Sequence, residues 1–522
     1  MTTPLFDATA LACLQSEFRR SMKRLLLDLC RELADDYPQL SARFGLPADY
    51  FHFVAQAIEE RAFCNWKVVG WIEALNDLVY FLDLLQQAGR EDDPREFAEQ
   101  LFVECEQKFF ESSYLDELFP QGPGRPGRLS VRLQWLCARL AREVTQESLF
   151  FEPRWAIQWT RLRRLDVWCV PGTLDQHVER AEPAWTVPNG TTGDTLVVPP
   201  SVVQAVRQAA RPVTFEIDRD GVALKKGRRF PICTLHGHRI EWHWTKREAV
   251  AATDARQQFP TVGPTLRYDK ERRPQAVRPT SSGHVDRIGR AWRTVRLAWP
   301  EGHEVLALLT SRVIPLHAAG VVSFSYRHRP GLSFINCFDR DNLDLIDDLI
   351  HENSHHHLNL LLRKHVMYRG DRNQQIFYSP WRRSLRPIRG ILHATFTFTV
   401  GAVLFERLST WAETARGMSE WKASGLTRRD LLRARFRCFE EIESVRYSLQ
   451  DLDYAGRHLK WITGSGARLV RQLEEEISKA QQRIMCHRNE VLASKFGPTL
   501  RKHIKELHAA RQTYGPVRLS KA

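Results

Sequence analysis

His351-Glu352-Asn353-Ser354-His355 places two imidazoles four residues apart around a glutamate, the HExxH pattern. On an α-helix, positions i and i+4 share one face, so both imidazoles can reach a single divalent cation. Glu352 stands beside them, where a carboxylate can take a proton from metal-bound water. The flanks must be helical for this to work, and they are patterned for it. Residues 342–350 lead in with helical apolar spacing, and Leu358, Leu360, Leu361 and Leu362 follow. The spacing predicts a motif helix over 342–364, with Asp341 or Asn342 as its N-cap.

Two histidines make an incomplete site. A catalytic zinc takes three protein ligands plus water, and a non-haem iron(II) centre takes three ligands on one face. His393 is the candidate third ligand. It lies among Ile391, Leu392, Phe396 and Val400 in a second apolar helix expected to begin between Pro387 and Gly390. An imidazole buried there needs a polar partner, and a metal would serve. Glu406 is the alternative, but on one straight helix it faces a different way from His393. Glu406 and Arg407 are expected to end the apolar helix at solvent. His356 and His357 point about 100° and about 200° away from His355, so they are expected at the margin of the site or on the surface. His236, His238, His243, His303, His317 and His328 have no metal-ligand spacing. Between the two metal-bearing helices stand Arg382, Arg383, Arg386 and Arg389. A guanidinium reads carboxylates bidentately, so one of these can anchor a dicarboxylate cosubstrate or an acidic peptide.

An ordered set of segments carries a resemblance. It runs from Leu349-Ile350-His351-Glu352-Asn353-Ser354-His355 through Tyr378-Ser379-Pro380-Trp381-Arg382 and Leu385-Arg386-Pro387 to Gly390-Ile391-Leu392-His393. Pro330-Gly331-Leu332-Ser333-Phe334 upstream and Thr463-Gly464-Ser465-Gly466-Ala467-Arg468 downstream belong to it too. This arrangement, over roughly 300–480, resembles the HExxH-motif peptide-modification proteins of bacterial natural-product clusters. The resemblance implies an iron(II)- and 2-oxoglutarate-dependent hydroxylase acting on the β-carbon of residues in a ribosomal precursor peptide. It implies His351, His355 and His393 as iron ligands, and Arg382, Arg383 or Arg386 as the anchor for 2-oxoglutarate. The chain departs from that pattern at Asn353-Ser354 and in the run His355-His356-His357.

The HExxH order also fits a zinc metallopeptidase with Glu352 as general base. A metzincin continuation of Gly and His at the expected spacing is absent. A scaffold that has lost its metal is the third reading.

The bulk properties allow all three. The chain has 522 residues and is 43% hydrophobic, with 15 Trp and 27 Phe, enough for a packed core and for roughly two to four domains or one large fold with insertions. Its net charge of +14 suits an acidic partner. No helix-turn-helix, zinc-finger or RNA-binding fingerprint occurs, so nucleic acid is not the expected partner. No stretch reaches the ~18 apolar residues of a membrane span. No basic region leads into an apolar one at the N-terminus, so no signal peptide is expected. The ten cysteines are scattered singly without a CxxC pair, the usage of reduced, buried thiols in the cytoplasm.

The fold class expected is α+β, predominantly α-helical. Residues 1–150 read as a helical region, broken by the Gly- and Pro-rich 120–128 before a helix at about 129–148. Residues 151–335 read as a mixed region with strands at Leu196-Val197-Val198, 212–218, 239–244, 292–299, 321–326 and 332–336, and a long loop at 252–290. Residues 336–522 read as the helical metal-binding region. Thr427 to Asp430 forms a capping box there, and a last long helix is expected over 464–495.

Overall fold

The structure, a computed structural model, describes residues 4–88 apart from 45, 47, 58 and 59, and six residues between 133 and 144. It also describes 167–171, 179–181, 184–188, 195–197, 199–207, 214–218, 220–226, 228–236 and 239–247. From 282 to 515 it is complete except for 318, 321, 370–373 and 415. Of these residues 71% are helical, with a few small sheets, which makes the protein a predominantly helical α+β fold.

The chain divides into two compact units. One combines Met1–Ser16 with Gln275–Arg327 and Gly331–Ala522; the other combines Glu17–Pro274 with His328–Pro330. Residues 275–327, which the sequence groups with the mixed middle, therefore share a unit with the metal-binding helices. The second unit holds helices such as Trp66–Ala88 and two antiparallel sheets. Its five-stranded sheet follows the order Val167–Pro171, Thr214–Asp218, Gly221–Lys226, Arg228–His236 and Arg239–Trp242. The predicted strands at 196–198, 212–218 and 239–244 each coincide with a described strand. The predicted break at 120–128 lies outside the described residues, as does the 252–281 part of the predicted loop.

The first unit is built around one apolar helix, Ile388–Glu413. By length and composition this helix could cross a membrane, but 72% of its most apolar window is buried inside the protein. It is the core helix of a bundle. The motif helix Asn342–Lys364, the long helix Arg428–Arg457 and the helix Gly464–Ile484 all pack against it. Burying an all-round apolar helix removes a large area from water, and this is the main driving force for the bundle. Its polar residues are handled locally. The hydroxyls of Thr395 and Thr399 donate to the carbonyls of Ile391 and Thr395 one turn earlier, both at 2.7 Å.

A three-stranded sheet lies beside the motif helix. Arg312–Leu316 runs parallel to Leu332–Asn336, and Phe324–Ser325 joins the latter antiparallel. Gly331 starts the middle strand at φ +82, in the left-handed region that side chains avoid. An added Cβ there would also lie 2.8 Å from Ser311 Oγ.

Three expectations change. Residues 292–299 are helical, not a strand: Ser282–Ala298 forms one helix, and its buried Ile288, Ala291, Val295 and Ala298 recur at helical spacing. The same helix occupies the end of the predicted 252–290 loop. The predicted 464–495 helix stops at Ile484, continues through a short 3₁₀ turn, and is followed by Arg488–Ala493 and Gly497–Tyr514. The motif helix itself runs over the predicted 342–364.

Asp341 caps the motif helix. Its carboxylate accepts from the Asp344 N–H at 3.0 Å, and Asp344 returns a bond to the Asp341 N–H at 3.2 Å. Asp341 also receives a bond from Arg433 at 2.5 Å. Asp341→Ala is expected to cost about 1 kcal/mol or somewhat more, read from urea unfolding midpoints at constant m-value. A change below about 0.3 kcal/mol would show that the cap is not holding this helix in place.

Candidate metal centre

The motif helix turns the predicted trio toward one point. Ligand-capable atoms of His351, Glu352 and His355 all lie within 4.8 Å of one another. The two imidazole rings are 5.0 Å apart at 82°, the mutual disposition of two ligands converging on one ion. Both rings keep partial exposure while Glu352 is buried, so the open side of the cluster faces outward.

Glu352 is held from behind. The Ser325 hydroxyl on the short strand Phe324–Ser325 donates to it at 2.7 Å. Burial pushes the Glu352 carboxyl up to about 8, against the lowering effect of that bond. Burial also drives the imidazoles toward the neutral form that binds metal. It lowers His351, with Arg437 and Arg382 adding to the effect and Asp347 opposing it. It lowers His355 well below the usual range, helped by His351, His393 and His356.

His393 projects from the core helix toward the pair. Its ring centre lies 6.3 Å from that of His355, wider than the 5.0 Å within the pair. Burial, then the charges of Arg389 and Arg327, push it down to about 4. His393 is therefore a neutral imidazole at the edge of the cluster. The donor set His351, Glu352 and His355 fits a divalent cation, with two neutral imidazoles and a carboxylate, and His393 stands outside that group.

Glu406 is not at the end of the core helix in solvent. It is 1% exposed, and it accepts from Arg483 at 2.9 Å and from Thr410 at 3.0 Å. The sequence missed this because Arg483 arrives from a different helix. Glu406 is an internal ion-pair partner, far along the helix from His393.

His356 and His357 are not on the surface. Both are deeply buried. His356 is tied to the sheet: its Nδ1 accepts from the Gly331 N–H at 3.3 Å, and its Nε2 lies 3.1 Å from Ser333 Oγ. His357 packs edge-on against Phe396 of the core helix at 5.0 Å. The two motif positions Asn353 and Ser354 are buried as well. Asn353 donates to Thr310 Oγ1 at 2.9 Å, and Ser354 donates to the His351 carbonyl at 2.5 Å. Angular position on a helix gives direction but not what lies in that direction, and here the sheet and core helix cover those faces.

The arginines separate by environment. Arg382 is exposed, and its charge acts on His351. Arg383 pairs with Glu506 at 3.2 Å. Arg386 is exposed on the strand Ser384–Arg386. Two arginine charges act on His393: Arg389, one of the four between the metal-bearing helices, and Arg327, which the sequence did not single out. Arg327 follows the strand that holds Ser325 and has no sequence spacing relative to the motif.

Phe377–Ser379 and Ser384–Arg386 form an antiparallel hairpin whose turn carries Arg382 and Arg383, and a polar chain fastens it to the motif helix. Trp381 Nε1 donates to Glu441 at 2.8 Å; Arg437 donates to Glu441 at 3.3 Å and to Asp347 at 3.0 Å. Asp347 is one turn before His351. Trp381 also stacks on Phe398 at 4.2 Å, and Phe398 lies edge-on to His351 at 5.3 Å. Burial pushes Glu441 up to about 7, against Arg437 and the Trp381 bond.

Among known proteins, no family model matches this chain, and no curated sequence matches it.

Removing His356 separates structure from ligation. His356→Ala leaves the buried Gly331 N–H and Ser333 hydroxyl without their partner, an expected loss of roughly 1–3 kcal/mol. Metal content measured on the same folded variant stays at the wild-type level. Burial holds the His356 imidazole down at about 4. A lowered folded value means that its contribution to stability is complete above about 6.5 and is lost as pH falls through 4. The variant's stability deficit, followed by denaturant unfolding, therefore shrinks between pH 6.5 and 4. A deficit that grew on acidification would contradict the neutral, hydrogen-bonded imidazole.

Proposed function

We propose that this protein is a metal-dependent peptide-modifying enzyme, an iron(II)- and 2-oxoglutarate-dependent hydroxylase of a ribosomal precursor peptide. The observation that carries the reading is one cluster of neutral imidazoles within the field of several guanidinium charges: that of Arg382 acts on His351, and those of Arg389 and Arg327 act on His393. A site for a bare hydrolytic metal has no need of that much positive charge, whereas a dianionic cosubstrate does.

In this reading His351 and His355 hold the ion, and His393 is the third nitrogen donor. Bound iron with its cosubstrate supplies the oxidising chemistry, and the protein supplies binding and orientation. Arg382 is the member of the predicted arginine trio suited to a cosubstrate carboxylate, because its charge acts on His351 while Arg383 is engaged by Glu506. Trp381 and Phe398 form an aromatic wall beside His351 that limits water. Glu352 accepts from Ser325 and keeps the motif helix in register with the sheet. The reading assigns a cytoplasmic location and the β-carbon of a peptide residue as the target. The eight cysteines whose side chains are described are free, in keeping with a reducing compartment.

A zinc peptidase is the second reading, supported by the placement of Glu352 within 4.8 Å of both imidazoles. There Glu352 would take the proton from metal-bound water.

One assay separates them. Protein loaded anaerobically with iron, then given 2-oxoglutarate, oxygen and precursor peptide, is expected to release succinate and add one oxygen atom to the peptide. His355→Ala drops both to background. Arg382→Ala raises the KM for 2-oxoglutarate roughly tenfold or more, the loss of one charge-assisted contact. Zinc-loaded protein that cleaves the peptide, with no succinate from the iron form, would overturn the proposal in favour of the peptidase.

A further inference from the structure

Behind the motif helix, on the side away from His351 and His355, lies a cavity of about 340 Å³. Its walls come from the N-terminal segment, the motif helix and the helix Gly464–Ile484. Leu5, Leu11, Leu14, Leu361, Met367 and Leu469 supply the apolar lining.

Two side chains stand out against that lining. His357 lines the cavity and is 2% exposed. It touches Phe396 edge-on, yet among the described residues it forms no hydrogen bond. Its ring nitrogens are thus left available to a ligand atom in the cavity. Asp7, His365, Ser465, Arg468 and Gln472 give the cavity its polar lining. Arg468 lines the same cavity. Its guanidinium donates to Ser465 at 2.9 Å, and no carboxylate pairs with it among the described residues. Asp7 also lines the cavity, but its carboxylate accepts from the Ala10 N–H at 3.0 Å and so caps the first helix.

We propose that this cavity binds a small amphipathic carboxylate, with its apolar body among the leucines, its polar end bonded to His357 and its charge met by Arg468. The volume admits about a dozen non-hydrogen atoms at ordinary packing density. The site is separate from the metal centre and does not depend on the metal or the cosubstrate. An occupant would nonetheless touch the motif helix directly and the core helix through the contact of His357 with Phe396, so it is placed to act on the metal centre from behind.

The test titrates 3-phenylpropionate, hexanoate and 3-phenylpropylamine into chelator-treated full-length protein by calorimetry and by saturation-transfer NMR. Both carboxylates are expected to saturate one site, and the amine to bind at least tenfold more weakly. Arg468→Met, a surface substitution that keeps the fold, weakens the carboxylates at least tenfold. His357→Phe, which fills the space with a ring of similar shape, abolishes binding while circular dichroism stays unchanged. Failure of both carboxylates to saturate, equal affinity for the amine, or wild-type affinity in both variants would each overturn the proposal.

Discussion

The first unit depends on the desolvation of one helix. The motif helix Asn342–Lys364 is covered on most of its circumference, by the sheet on one side and the core helix on another. That cover fixes the state of every histidine on it. Imidazoles out of water are held neutral, and a neutral imidazole is the form that either binds a metal or enters a hydrogen-bond network. His351 and His355 face the open side, His356 is spent on Gly331 and Ser333, and His357 faces a cavity. Four histidines within two turns thus take three different fates, set by what each direction of the helix meets.

The surroundings make that helix hard to displace. Asp341 fixes its start, and Asn353 is bonded to Thr310. Asp347 is held by Arg437, which also holds Glu441 and through it Trp381. These buried charges are weak evidence for net stability, since desolvation offsets much of the attraction. Their clearer consequence is geometric. The hairpin that carries Arg382 cannot shift relative to His351 without breaking a bond in the chain that runs from Trp381 to Asp347. Binding sites need such support to keep their contacts within a fraction of an ångström.

Much of this was legible in the sequence where the signals are local. The HExxH spacing, the apolar periodicity and the Asp341 cap define the motif helix to its ends, and the Thr427–Asp430 capping box marks the start of Arg428–Arg457. The converging imidazoles follow from helix geometry alone. What could not be read was everything that depends on a distant partner. Glu406 looked like a solvent-facing helix end because Arg483 is brought to it only by folding. His356 and His357 looked peripheral because their cover comes from a sheet and a core helix remote in the chain. The strand expected at 292–299 failed because alternating Trp, Val and Leu fits both periods over so short a run, and the apolar positions upstream to Ile288 decide for the helix. Arg327 escaped notice since it approaches His393 only through the folded sheet.

The central claim is that His351 and His355 share one metal ion. X-ray absorption at the metal edge, on protein purified without added chelator, tests it most directly. The account predicts multiple-scattering features of at least two imidazoles at about 2.0–2.1 Å from a single ion, with one of them lost in His355→Ala. A spectrum with no imidazole shell, or one unchanged by that substitution, would contradict it.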